Sequence, residues 1–256
     1  MDFFVSYSTN VGIEKSNNED SLSFDEAETG KGKILQAVIC DGMGGLDRGE
    51  LASATVVKAF SDWFNNSLPF LLNETDVTGS IKRSWNRLIK TLNNDVYEYG
   101  RSRQFQLGST LTAVIFLENG EYVCAHVGDT RLYRITDDEI SVITDDQTVI
   151  GYKLRHGLIT PEKAKTDPQR NVLIQCIGAT ITVNPEFYTG KANEKENFML
   201  CSDGFRHEIE EKEIHGTLKP SAFDTGKGNE ILAEMIDTAM KRGEADNITA
   251  MMIEIC

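Results

Sequence analysis

No apolar run in this 256-residue chain is long enough to cross a bilayer. The opening Met1-Asp2-Phe3-Phe4 carries neither a basic segment nor a cleavable apolar one, so neither an anchor nor a leader is expected. Basic residues are scarce: 26 Lys and Arg stand against 40 Asp and Glu, a net charge of −14. That balance offers no positive stripe for a phosphate backbone and argues against nucleic acid as a partner. The five cysteines are odd in number, and no pair has zinc-ligand spacing. Four of them (Cys40, Cys124, Cys176 and Cys201) sit inside apolar segments, as expected of reduced, buried thiols in a cytoplasmic protein. No Ser/His/Asp or Cys/His constellation stands out for nucleophilic catalysis, and neither an internal repeat nor a linker divides the chain. Residues 1–256 are therefore expected to form one domain.

What is present is a recurring grammar of strand, aspartate and glycine. Ile34 to Cys40 is an almost unbroken apolar run that ends in Asp41, with Gly42, Gly44 and Gly45 close behind. Such a run reads as a buried strand, and the glycines read as a tight exit where backbone can approach closely. An aspartate that merely opens a turn is common at such a place. Here, however, Phe198–Cys201 leads to Asp203-Gly204, and Tyr122–Val127 leads to Gly128-Asp129. In reversed order, Asp246-Asn247 precedes the apolar run Ile248–Ile253, and Asn18-Glu19-Asp20 precedes Ser21–Phe24. Carboxylates at strand ends across a whole chain are costly to bring together unless a cation neutralises them, which is what an oxygen-ligand metal centre supplies. Carboxylates and carbonyls without clustered His or Cys favour hard cations that keep waters. Two such ions held close together lower the pKa of a bridging water and make a hydroxide of it, so attack would be direct and need no nucleophilic side chain.

Apolar spacing predicts strands at 2–8, 21–25 and 34–40, with residues 28–33 turning the chain between the last two. Three- and four-residue steps from Leu51 to Phe64 predict a helix, and Ile81 to Tyr99 predict a second that stops at Gly100. Ser109–Leu117, Tyr122–Val127, Arg131–Ile135 and Ile140–Ile143 read as one antiparallel meander. Residues 147–176 look like short helical pieces forming a flap, with Thr160-Pro161 as a helix start. Strands at 185–190 and 197–201 follow, and the acidic cluster Glu208–Glu213 reads as a solvated face. Glu230–Arg242 is an amphipathic helix ahead of the last strand. Hairpin runs with helices between them argue for an α+β fold of antiparallel sheets covered by helices.

Six motifs occur in order: Lys15-x-x-Asn18-Glu19-Asp20, Asp41-Gly42-Met43-Gly44-Gly45, Gly108-Ser109-Thr110, Val127-Gly128-Asp129-Thr130-Arg131, Ser202-Asp203-Gly204 and Asp246-Asn247-Ile248-Thr249. From about residue 3 to 255 the chain resembles the metal-dependent PPM family, the type 2C protein serine/threonine phosphatases, and in particular its short bacterial members. The resemblance implies a four-layer α-β-β-α sandwich of two antiparallel sheets, with metals in a cleft at one sheet edge. It further implies that Asp41 bridges two Mg2+ or Mn2+ ions. Asp203 and Asp246 would complete the first ion's protein ligands, and the Gly42 carbonyl would serve the second. Glu19 and Asp20 would hold water ligands, and Asp129 with Asp203 would form a weaker third site.

Two positions depart from the larger eukaryotic members. Lys15 stands where those have a phosphate-gripping Arg; it offers a point charge but no bidentate fork. Met43 stands where they have His, and methionine donates no proton. His126 and His207 lie near Asp129 and Asp203 in sequence, although a single His in an apolar strand is ordinarily a packed core residue. Asp146 is expected to fix the flap rather than bind metal. The expected activity is hydrolysis of phosphoserine and phosphothreonine in phosphorylated proteins, opposing a Ser/Thr kinase, by a monomer with no membrane partner. The alternatives are a small phosphomonoester as substrate and a non-catalytic domain that binds a partner.

Overall fold

The computed structural model describes residues 1–44, 48–164 and 166–256. The expectation placed on Gly45 lies outside these residues. Three strands open the chain, β1 (Phe3–Asn10), β2 (Asp20–Thr29) and β3 (Gly32–Gly44), followed by helices α1 (Gly49–Asn66), α2 (Leu68–Leu71) and α3 (Val77–Arg103). Next come β4 (Leu107–Ser109), β5 (Leu111–Phe116), β6 (Glu121–Val127), β7 (Arg131–Ile135) and β8 (Ile140–Val142). Short helices α4 (Val149–Arg155) and α5 (Pro161–Ala164) precede β9 (Glu186–Lys191) and β10 (Glu196–Cys201). The chain closes with α6 (Asp203–Glu208), α7 (Glu211–Leu218), α8 (Gly228–Lys241) and β11 (Ile248–Ile255).

These strands form two antiparallel sheets, one ordered β1-β11-β10-β7-β8 and the other β2-β3-β5-β6-β9, with β4 paired to β3. The unbroken apolar runs have a simple cause: each central strand is buried on both faces. In β3, Leu35, Ala37 and Ile39 point into the layer between the sheets, while Ile34, Val38 and Cys40 point to the helices α1 and α3. In β11, Met251, Ile253 and Ile255 join the inter-sheet layer, and Ile248, Ala250 and Met252 pack beneath α6, α7 and α8. The order is therefore helix, sheet, sheet, helix, as the resemblance implied. Among the described residues no helix is long and apolar enough to cross a membrane.

Several sequence expectations need correction. The four strands expected from 109 to 143 are not one meander. β5 and β6 belong to one sheet and β7 and β8 to the other, and the chain changes sheets at Gly128-Asp129-Thr130. Short strands joined by short turns look alike in sequence whether the turn closes a hairpin or arches between layers. α3 does not stop at Gly100: it runs on to Arg103, and Gln104 closes it in the left-handed conformation at φ 61°. β3 does not end at Asp41 but continues through Gly44, because Gly42 and Met43 pair with Ser109 and Gly108 of β4. The acidic stretch Glu208–Glu213 is largely exposed, as a solvated face would be, but it also holds the start of α7, a capping box between Glu210 and Glu213.

Phe198 anchors the inter-sheet layer, its ring edge-on to Phe116 at 4.9 Å and to Tyr122 at 5.6 Å. Replacing it with alanine removes the ring where neither rigid sheet can collapse inward. Phe198→Ala is expected to cost about 3–5 kcal/mol, read as a fall in the urea unfolding midpoint; a shift worth under about 1 kcal/mol would show that the layer repacks.

Candidate active site

The candidate residues come from five places in the chain and meet at one edge of the two sheets. Asp41 lies on β3 directly opposite Asp20, the first residue of β2. Asp203 is the first residue of α6, immediately after β10, and Asp246 lies two residues before β11. Asp129 sits on the crossing between sheets. A pocket of about 260 Å3 is lined by Lys15, Glu19, Asp41, Gly42, Met43, Asp129, Asp203 and Asp246, joined by Asn171 and Leu173 from the 147–176 segment. Of the candidate residues only Asp20 is not in the lining, and it is buried behind it.

Close backbone approach builds the pocket walls. A Cβ on Gly42 would stand 2.2 Å from the Gly49 carbonyl oxygen and 2.6 Å from that of Glu19. One on Gly204 would stand 2.3 Å from the Asn247 carbonyl oxygen. Only glycine lets the start of α6 lie against the start of β11, which brings Asp203 toward Asp246. Asn247 ties the loops together: its Oδ1 accepts from the Glu19 N–H at 2.8 Å, and its Nδ2 donates to the carbonyls of Val11 (2.8 Å) and Asn17 (3.0 Å).

The charges in this pocket are poorly matched. Burial, and then the charges of Asp20, Asp203, Asp129 and Asp246, push the Asp41 carboxyl well above the usual carboxylate range. Burial is also the main reason Asp20 is pushed up to about 7, with Asp203 and Asp246 adding to it against the Ser202 and Thr249 hydroxyls. Asp129 is likewise raised to about 7 by burial and Asp203, against the pull of Arg206. Lys15 Nζ, at 2.8 Å from Asp246 Oδ1, is the lining cation. Its pKa is raised: burial works against it, but the Asp246 hydrogen bond and the charges of Asp246, Glu19 and Asp41 prevail.

Among the described residues no three His, Cys, Asp or Glu side chains stand at a spacing that grips one ion. The donor set nonetheless fits a hard cation. The lining acidic groups are all oxygen donors, and Asp20 Oδ1 and Asp203 Oδ1 are buried without a hydrogen-bond partner. Such atoms stay costly until something positive reaches them.

The histidines divide. His126 is buried within β6, its Nδ1 2.9 Å from Thr112 Oγ1 and its Nε2 3.1 Å from the Asp145 carbonyl, and burial lowers its pKa. It is a packed core residue. His207 approaches the site from behind, with Nδ1 3.0 Å from Glu244 Oε2 and Nε2 3.5 Å from Asp203 Oδ2. Asp146 is absent from the pocket lining. Arg131 grips it in a bidentate pair at 2.7 and 2.8 Å, and Arg206 lies 3.4 Å away. Its carbonyl accepts from Arg155 of α4 at 2.9 Å, which places it at the foot of the 147–176 segment.

Reading the sequence missed Arg206, Glu244 and the bridging by Asn247. Arg206 and His207 follow Asp203 at i+3 and i+4, so a helix assigned after Asp203 would have put both on its face.

The family described as protein phosphatase 2C matches this chain over residues 13–251. The chain belongs to that family. A serine/threonine phosphatase, Stp, of Listeria innocua is 28% identical over 97% of this chain and 94% of its own length. The protein phosphatase PhpP of Streptococcus pneumoniae is 26% identical over 98% of this chain and 97% of its own. Among solved structures, the serine/threonine phosphatase of S. agalactiae superposes with a TM-score of 0.84 at 28% identity, covering 99% of this chain and 100% of that one. Membership of the 2C family carries divalent-metal dependence with it, in line with the carboxylates that line the pocket.

Asp146 yields a pH prediction. Burial would raise its carboxyl, yet Arg206 and Arg131 overcome that and hold it at about 2. A depressed carboxylate stabilises the fold above its unfolded pKa, and that stabilisation is lost as pH falls through the folded value. About 2 kcal/mol should therefore disappear between roughly pH 4 and pH 2. Unfolding midpoints measured from pH 5 to 2 should fall less steeply in Asp146→Asn, which starts less stable; parallel curves would remove Asp146 from the acid transition.

Proposed function

We propose that this phosphatase hydrolyses phosphoserine and phosphothreonine esters in proteins at the pocket lined by Asp41, Asp203, Asp246 and Lys15. The observation that carries the reading is the crowding of carboxylates around Asp41 in a chain of the 2C family. Asp41 would be shared by two Mg2+ or Mn2+ ions, with Asp203 and Asp246 serving the first and the Gly42 carbonyl the second. Glu19 and Asp20 would hold waters, and Asp129 with Asp203 would form a weaker third site. Divalent ions bound there supply Lewis acidity and a water of lowered pKa.

The chain's own residues set the rest of the chemistry. Lys15 supplies a compact positive charge for the phosphate dianion, and it must be shared with Asp246, its present partner. Met43 lines the pocket and donates no proton, so a water or one of the carboxyls must protonate the departing alkoxide. Glu19 Oε1 accepts from the Gly49 N–H at 3.0 Å, which fixes the first turn of α1 against the pocket. The 147–176 segment reaches the pocket through Asn171 and Leu173, and it is anchored where Gln147 N–H donates to the Gly128 carbonyl at 2.7 Å. We read it as a flap that meets the protein substrate. A single domain acting as a monomer in the cytoplasm, opposing a Ser/Thr kinase, completes the proposal; the four buried thiols suit a reducing compartment.

Turnover of a phosphothreonine peptide and of a sugar phosphate, each with Mn2+ added, chelated by EDTA and restored, tests the reading. The peptide should turn over only with metal and much faster than the sugar. Faster turnover of the sugar phosphate would move the substrate class to small phosphomonoesters, and metal-independent turnover would defeat the mechanism. Asp41→Asn should lower kcat by about 10^3 or more, since the removed charge acts at the reacting centre. Lys15→Ala should lower kcat/KM about tenfold, the worth of one charge-assisted hydrogen bond. An Asp41→Asn enzyme that keeps most of its rate would show that the shared ligand has been misassigned.

A further inference from the structure

Asp203 and Asp246 come from different elements, yet they hang from one polar bar. Glu244 is buried in the loop between α8 and β11. Its Oε1 accepts from the backbone N–H groups of Ala245 and Asp246, each at 2.9 Å, which fixes the backbone that carries Asp246. Its Oε2 faces His207 Nδ1 at 3.0 Å. A carboxylate only accepts, so Nδ1 carries a hydrogen and the ring is held in one orientation. The other ring nitrogen, Nε2, then lies 3.5 Å from Asp203 Oδ2, one helical turn back along α6; that oxygen also only accepts, so Nε2 faces it as a donor when the ring carries a hydrogen on both nitrogens. Asp203 is thereby divided: Oδ2 faces the imidazole, and Oδ1 is buried with no partner.

We propose that Glu244 and His207 are positioning residues that fix Asp203 and Asp246 relative to each other, so that Asp203 Oδ1 faces the divalent cation. The inference rests on the metal-dependent phosphatase reading above. A partner behind a ligand removes a side-chain rotation that would otherwise be lost on binding, and the loss of such a partner typically weakens metal affinity. Neither residue touches substrate. Arg206, the neighbour of His207, does separate work at the far side of the pocket, where its Nη2 donates to the Asp129 carbonyl at 3.1 Å.

The test is calorimetric titration of Mn2+ into EDTA-stripped protein, with the thermal midpoint of each metal-free variant alongside. Asparagine at position 207 reaches only as far as Nδ1 and keeps the Glu244 contact. Glutamine reaches as far as Nε2 and restores a donor to Asp203. His207→Asn should weaken Mn2+ binding about tenfold or more, His207→Gln should recover most of that loss, and both metal-free midpoints should stay near that of the parent. An unchanged affinity in His207→Asn overturns the proposal. So does an equal weakening in both variants accompanied by lower metal-free midpoints, which would indicate a merely structural histidine. If His207→Asn does not fold, Glu244→Gln carries the same test. It keeps an acceptor for the Ala245 and Asp246 N–H groups and opposes His207 with a donor; Mn2+ affinity equal to the parent's again overturns the proposal. Failure of the parent protein itself to bind Mn2+ would instead defeat the phosphatase reading beneath it.

Discussion

Mutual repulsion among carboxylates is the constraint around which this molecule is built. Asp20, Asp41 and Asp129 are all raised by burial and by the charges of neighbouring aspartates, Asp203 among them in each case. Such a cluster does not assemble by its own attraction; rigid surroundings have to hold it. The rigidity comes from strands buried on both faces, in which every second side chain locks into a different apolar layer. A one-residue slip of β3 would exchange its two sets of side chains and carry Asp41 away from Asp20. The cores on either side of the sheets therefore set the register on which the chemistry depends.

Counter-charges are distributed in a way that leaves the pocket itself acidic. Arg206 and Arg131 neutralise Asp146, and Arg206 also touches Asp129 from behind. Lys15 serves Asp246 at the rim. Among the described residues no ion pair reaches Asp41, and the buried Oδ1 atoms of Asp20 and Asp203 have no hydrogen-bond partner. In a chain with a net charge of −14, an acidic pocket of this kind suits divalent cations, in keeping with the metal dependence of the 2C family.

Much of this could be read in the sequence, for physical reasons that differ by element. β3, β10 and β11 were legible because burial on both faces writes a continuous apolar run, and Asp41, Asp203 and Asp246 stand out as the charged residues that flank those runs. The helices α1 and α3 were legible from their single apolar face. The passage of the chain from one sheet to the other at Gly128-Asp129-Thr130 was not, since a turn of that length serves a hairpin equally well. α6 and α7 were hidden because they are short and begin among acidic residues, and α7 is capped by Glu210, an uncommon choice. With α6 unseen, the approach of His207 to Asp203 could not be deduced, and no motif or spacing singled out Glu244.

The pairing of β1 with β11 joins Phe3 to Ile255, so the first strand of the fold finds its neighbour in the last. Asp203 and Asp246 belong to that same late portion of the chain, whereas Asp20 and Asp41 emerge early. A polypeptide halted midway through translation thus carries half of the acidic cage and an N-terminal ribbon with nothing to zip against. Such a fragment would leave β1 without its hydrogen-bonded neighbour and the pocket without Asp203 and Asp246.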